Sequence, residues 1–468
     1  MDTEKSKAEQ LKEKLFLTKK HAALRLTEEA IQEADAFCEG YKRFLQESKT
    51  EREAVAYVMA LAESQGFLPY DKDQKYTPGD KIYLNNRNKS LILAVMGQKC
   101  VGEGLRIVAA HIDSPRLDLK PNPLYEDAEL ALFKTHYYGG IKKYQWTAIP
   151  LSLHGVIVKK DGESVVVRLG EAAGEPQFVI TDLLPHLGEE QGKRKLSEGI
   201  TGEELNVLVG SRPFRDDKAS ELVKLNILNL LHEKYGIIEE DFQSAELELV
   251  PAFPVSDIGF DRGLIGGYGQ DDRVCAYPGL TALADMDVPE YTALTVLADK
   301  EETGSEGNTG MHSAFLRDFV ADLARQAGLQ AHDVLGRSEC LSADVNAGFD
   351  PTWPNVAEKR NAACLNQGLV LTKYTGARGK SGTSDASAEF VGKIRRLFDG
   401  AGVVWQTGEL GKVDEGGGGT VALFIANLNV DVLDAGVPVL SMHSPFEVVS
   451  KLDVYMAYKG FKAFFEGK

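Results

Sequence analysis

Five times in the 468-residue chain, an apolar run or a glycine-rich turn ends in a histidine or a carboxylate. LRIVAA leads to His111-Ile112-Asp113, GLIGGYGQ to Asp271-Asp272, and YTALTVLADK to Glu301-Glu302. CLSA leads to Asp344 and VPVLSM to His443. In open α/β sheets, sites form outside the carboxyl ends of the strands, so these groups are expected to converge in one crevice. Two histidines and several carboxylates, with no thiol, suit Zn²⁺ or a similar divalent ion. Each piece alone says little, because a lone His-x-Asp or Glu-Glu is usually a solvated or locally satisfied group. Five of them at equivalent places shift the balance. Burying that many carboxylates together without a cation is costly.

Chemistry then suggests roles. Two cations about 3.5–4 Å apart need a carboxylate that can bridge them, and a short aspartate on a stiff turn suits that. A histidine ligand needs its other ring nitrogen held, and Asp113 stands where it could accept that N–H from His111. A water activated by the metals needs a general base within hydrogen-bond reach. Glu301 and Glu302 are adjacent, so one can ligate while the other points into the substrate space.

The elements that must position these groups follow from hydrophobic spacing. The first 65 residues read as helix, with Ala30, Ala34, Phe37, Tyr41, Phe44 and Leu45 on one face and Thr27 as an N-cap. From Lys81 the pattern changes to short strand-like runs. Residues from about Leu124 to Pro251 hold strand candidates (SLHGVIVKK, SVVVRLG, QFVITDLL), a Lys/Glu-rich linker and one helix from about Lys218 to His232. After Pro254, strands alternate with helices again, including MHSAFLRDFVADLARQ, ended by Gly328. The expected fold is therefore an α/β protein whose central mixed sheet carries helices on both faces, interrupted by an inserted β-rich domain. The expected division is 1–123 and 254–468 for the two parts of the catalytic domain, with 124–253 inserted. Gly416–Gly419 reads as a mobile loop. GARGKSGT and GSEGNTG lack the glycine spacing of phosphate-binding loops and read as ordinary turns.

Composition narrows the function. With 53 Lys+Arg against 70 Asp+Glu, the net charge is −17, which argues against a nucleic-acid partner. The five cysteines are odd in number and scattered, so neither a zinc finger nor a disulfide framework is expected. The charged N-terminus lacks a signal-peptide core, and no apolar run approaches the roughly 20 residues of a membrane span. A reduced, cytoplasmic, soluble protein with no membrane partner is expected.

Taken in order, AAHIDSPRLDLK, GQDDR, DKEETGSEG, LSADVNAGFDP and VPVLSMHSPFE resemble the motifs of the aspartyl aminopeptidase/aminopeptidase I family of dinuclear metallopeptidases, across roughly residues 105–455. The resemblance implies a zinc-exopeptidase-like fold and two divalent ions, most simply zinc. It implies His111, Asp271, Glu302, Asp344 and His443 as metal ligands, Asp271 as the bridge, Asp113 as the group orienting His111, and Glu301 as general base. It also implies a dimerising inserted domain and a dodecamer built from dimers, with His186 reaching a neighbouring subunit's site to bind substrate. Where the family usually has Leu-Asp-Asn, this chain has Gln270-Asp271-Asp272, so two adjacent aspartates compete for the bridging place. The stretch around Lys373–Ser384 departs from the pattern of aspartyl enzymes and leaves the preferred N-terminal residue open.

The expected activity is removal of N-terminal residues from peptides, with a metal-bound water as nucleophile and Glu301 taking its proton. A deacylase or carboxypeptidase on the same scaffold is the alternative enzyme. A catalytically silent assembly protein is the alternative of another class, and such a protein is expected to have lost a ligand or the base.

Overall fold

Strands Arg106–His111 and Ala293–Ala298 are buried at every residue. That is why their sequences are continuously apolar, as in strands covered on both faces, rather than alternating. Successive residues feed opposite cores. Val108 and Ala110 pack into one, Ile107 and Ala109 into the other. The structure, a computed structural model, describes residues 5–17, 19–216 and 218–467.

These strands lie at the centre of a nine-stranded sheet. Its order is Leu68–Pro69, Lys81–Asn86, Ser90–Val95, Ala293–Ala298, Arg106–His111, Glu339–Ser342, Asp431–Gly436, Leu369–Thr372 and Trp405–Thr407. The middle four run parallel, flanked by antiparallel neighbours. Helices Glu28–Glu47, Glu51–Ser64, Gln270–Ala284, Ala388–Gly400 and Lys451–Glu466 bury their apolar residues on one face. Helices Phe315–Gln326, Ala331–Leu335 and Ala422–Ala426 cover the other. This is the mixed sheet expected from the sequence. Thr27 caps its helix as expected, its hydroxyl accepting the Ala30 N–H at 3.2 Å.

A second, antiparallel sheet interrupts the chain. Its seven strands run in the order Ser164–Leu169, Leu151–Val158, Ala245–Pro251, Arg116–Asp127, Leu130–Tyr138, Asn206–Gly210 and Val179–Ile180. It has its own core around Phe133, Trp146, Leu153, Val207 and Leu249. The expected boundary at residue 124 falls inside the strand Arg116–Asp127, so the second sheet starts five residues after His111. The chain therefore passes straight from the central sheet into the second one at the candidate site. No helix among the described residues is long and apolar enough to cross a membrane.

Two local expectations shift. The helix expected over 218–232 runs Leu222–Tyr235, entered through left-handed Glu221 and stopped by left-handed Gly236. The helix read from MHSAFLRDFVADLARQ begins at Phe315, because residues 311–314 form turns. Gly417–Gly419, within the run expected as a mobile loop, line a cleft beside the candidate site. GARGKSGT is a turn, closed by a bridge between Ala377 and Ser381.

Candidate metal centre

His111 is the last residue of its strand, and Glu301–Thr303 form one helical turn just past Ala293–Ala298. Asp344 follows Glu339–Ser342, and Asp271 opens the helix Gln270–Ala284. His443 lies in the turn before strand Glu447–Ser450. Three parallel strands of the central sheet and the turns beside the small sheet of Ser256–Ile258, Leu264–Gly267 and Glu447–Ser450 thus bring their polar ends together. Lys300 and His443 hold left-handed backbone, φ 65° and 64°, a conformation costing on the order of 1–3 kcal/mol each unless the surroundings over-determine it. At His443 the surroundings include Glu447. Its carboxylate accepts the His443 N–H at 2.7 Å and the Asp271 N–H at 3.2 Å, tying two site loops together. Strand Asp431–Gly436 passes so close to Asp344 that a Cβ at Gly436 would lie 1.7 Å from the Asp344 carbonyl oxygen, and only glycine fits.

Asp271 is central. Its Oδ1 lies 3.0 Å from His111 Nε2 and its Oδ2 3.1 Å from His443 Nε2. Glu302 Oε2 is 3.4 Å from the same His443 nitrogen. Two groups result, His111–Asp271–Asp344 and Asp271–Glu302–His443, each offering three ligand atoms within 4.8 Å of one another. Asp271 belongs to both. Asp272 turns away and accepts the His111 backbone N–H at 3.3 Å. Asp113 stands behind His111, its Oδ1 3.3 Å from Nδ1, and its backbone carbonyl is 3.1 Å from the same nitrogen. It also accepts the Glu301 and Glu302 N–H groups, at 3.1 and 3.2 Å. Glu301 Oε2 approaches His111 Nε2 at 4.0 Å.

The charges strain against their burial. Burial, with repulsion from Asp271, pushes Glu302 well above the ordinary carboxylate range. Burial, with repulsion from Glu301 and Asp272, does the same to Asp344. Burial, with Asp113 and Asp271 nearby, lifts Glu301 to about 7, and burial beside Asp271 lifts Glu447 to about 8. Burial opposes a charge on His443, yet the bond to Asp271 lifts it to about 10. His111 goes up for the same reason, through Asp113 and Asp271. Side-chain oxygens of Glu302, Asp344 and Asp272 are buried without a hydrogen-bond partner. Buried polar atoms are seldom left so, and a cation in each group would satisfy Glu302 and Asp344. Imidazole with carboxylate is a donor set that suits zinc.

A cleft of about 480 Å³ opens over these groups, walled by Glu301, Asn346, Thr375, Gly418, Phe424 and Met442. The structure brings together His111, Asp113, Asp271, Glu301, Glu302, Asp344 and His443. His186 is not among them; it lies exposed in a loop after Val179–Ile180. Sequence reasoning missed Glu447 as a clamp, although it stands in the VPVLSMHSPFE string, four residues past His443. It also missed Tyr138, which donates to Asp113 at 2.7 Å, and the Gly140 carbonyl, 3.0 Å from His443 Nδ1. Both come from the second sheet, and no local pattern marks them.

Residues 44–465 match the family described as aminopeptidase I zinc metalloprotease (M18). The chain belongs to that family. An aminopeptidase of Clostridium acetobutylicum, named "Probable M18 family aminopeptidase 1", is 49% identical over 453 residues, which cover 95% of this chain and 97% of that one. The crystal structure of an M18-family aminopeptidase from Thermotoga maritima is similar with a TM-score of 0.93 at 42% identity, covering 97% of this chain and 100% of that one. A yeast mApe1 dodecamer structure shares the fold at 20% identity, with a TM-score of 0.75 over 93% of this chain and 97% of that one. M18 proteins are the metallo-aminopeptidases, hydrolases of peptide bonds, that the motif order implied.

The electrostatics of the M18 site predict a pH signature for the metal-free protein. Carboxyls and imidazoles with raised values make the folded chain hold more protons than the unfolded one, so stability falls as pH rises through that window. Asp271 and Asp113 are held low instead, and their stabilisation is lost only on acidification below the ordinary Asp range. After chelation, the unfolding midpoint should therefore fall steadily between about pH 5 and pH 8. Asp434 and Asp453, raised by burial to about 6 and about 8 away from the ligand groups, should leave a shallower slope when metal is present. Thermal melts with and without zinc check this; equal slopes count against the packing described.

Proposed function

We propose that the chain removes N-terminal residues from peptides through two zinc ions held by His111, Asp271, Glu302, Asp344 and His443. The observation that carries the reading is the Asp271 carboxylate shared between both ligand groups. When bound, two such ions polarise the scissile carbonyl and lower the pKa of a water to about 7. Glu301 faces the cleft and is poised to take that water's proton, then deliver it to the leaving amine. Its lift to about 7 supports this role, since a base works best when its pKa lies near the working pH. Asp113 fixes His111 by holding Nδ1 and fixes the Glu301-Glu302 turn through its two backbone N–H bonds. Membership of the M18 family favours this over a deacylase or carboxypeptidase.

We further propose assembly through the inserted block, residues 124–253, as a dimer within a larger closed shell such as a dodecamer. Strand Ser164–Leu169 forms one edge of its sheet, with Val166 72% exposed, and Leu183, Leu184, Leu187 and Leu196 are exposed around His186. Open edges and apolar patches of this kind are usually covered. In that assembly His186 completes the neighbour's site. All five cysteines are free, which supports a reducing, cytoplasmic compartment.

Glu301→Gln should retain zinc and lose about 10²–10⁴-fold in kcat, because an amide accepts no proton. Near-full activity with bound metal would remove Glu301 from this role. Asp271→Asn should lower occupancy at both metal positions, whereas Asp272→Asn should be milder; elemental analysis showing the opposite ranking puts the bridge one residue later. Diluting the assembly while following light scattering and activity together should show specific activity falling as subunits separate. A monomer with undiminished activity refutes the link through His186.

A further inference from the structure

Strand Leu130–Tyr138 of the second sheet ends against the candidate metal centre, and its last residues reach towards both histidines. Tyr138 donates its hydroxyl hydrogen to Asp113 Oδ2 at 2.7 Å, and Asp113 in turn faces His111 Nδ1. Two residues further on, the Gly140 carbonyl oxygen lies 3.0 Å from His443 Nδ1 and can accept its proton. A histidine that ligates through one nitrogen depends on the partner of the other, and losing that partner typically costs about 10–100-fold in metal affinity or activity. Here both partners trace back to one three-residue segment of the inserted sheet.

That segment is held firmly. The Arg116 guanidinium lies 3.8 Å from the Tyr138 ring centroid. Arg116 is itself buried between Glu248 of the second sheet and Glu51 of the helix Glu51–Ser64, at 3.3 and 3.4 Å. The tyrosine is thereby pinned to both units at once. Between the two contacts, Gly139 has φ +74°, and a Cβ there would come within 3.3 Å of the Glu302 Cβ. A side chain there would strain the left-handed backbone and press on Glu302, so glycine suits the position.

We propose that Tyr138 and Gly140 are positioning residues, Tyr138 setting His111 through Asp113 and Gly140 setting His443, so that the inserted sheet tunes the two metal positions separately. The proposal rests on the two-metal reading above. It gives the second sheet a part in the chemistry of its own chain, beyond any role in assembly.

The test uses the full-length zinc-loaded protein as wild type, Tyr138→Phe and Gly139→Ala. Zinc release is followed during chelator titration, and Co²⁺-reloaded samples give visible spectra of the ligand field. Asp344→Asn and Glu302→Gln assign the release steps to the His111 and His443 groups. Tyr138→Phe should weaken the His111 position about 10–100-fold and leave the His443 position within about threefold, with a changed Co²⁺ spectrum. Its kcat should fall while KM stays within about threefold. Gly139→Ala should show the reverse order, weakening the His443 position first. Equal weakening of both positions by Tyr138→Phe, or no weakening, overturns the proposal. If Tyr138→Phe does not fold, Gly139→Ala decides alone, and weakening at the His111 position first is then fatal. A wild type that binds fewer than two zinc ions overturns the two-metal reading instead.

Discussion

The Asp271 carboxylate lies between two imidazoles, 3.0 Å from one and 3.1 Å from the other, and is almost fully buried. A single anion in that place would be stabilised by the two histidines alone. The difficulty is its company, because Glu301, Glu302, Asp344, Asp272 and Glu447 crowd the same small volume. Like charges at such spacing cannot all ionise in a low-dielectric site. Protons or cations must be retained there, and the rest of the fold is arranged to hold the groups in place while they repel.

Three devices do this. The parallel strands are packed on both faces, so His111 and the residues after Ala298 and Ser342 inherit rigid starting points. Glu447 accepts from the backbones of both His443 and Asp271, converting one more buried carboxylate into a tie between loops. The second sheet meets the first at the site itself, through Arg116, Tyr138 and Gly140. Cutting the insertion away would therefore remove support from the site.

Much of this was legible in the sequence, for identifiable reasons. A strand buried on both faces must be a continuous apolar run, so LRIVAA and YTALTVLA announced themselves, and the polar residue ending each run marked the site edge. Thr27 was legible because capping is a local interaction. Tyr138 and Gly140 were not, because their partners lie 25 and 303 residues away in sequence and no spacing rule connects them. The role of the glycine run was hidden for a similar reason. Gly416–Gly419 read as a mobile loop, and only tertiary packing sets Gly417–Gly419 along the cleft wall. Which of Asp271 and Asp272 contacts both histidines was not legible either, because it depends on the backbone at the helix start, where both residues leave helical φ/ψ.

Glu301 and Glu302 show how one turn can give identical neighbouring side chains different surroundings. Lys300 in left-handed backbone starts a single helical turn, and Asp113 accepts both following N–H groups, so the backbone is fixed twice within two residues. The side chains then diverge. The Glu302 side chain is 3% exposed and faces His443 and Asp271. Glu301 is 17% exposed and borders the cleft, in reach of water, 4.0 Å from His111 rather than bonded to it. Burial, with Asp113 and Asp271 nearby, lifts its carboxyl to about 7, which is the range the proposed general-base role requires. Adjacent carboxylates thus acquire different surroundings, because the turn sets one against a histidine and the other along the open cleft.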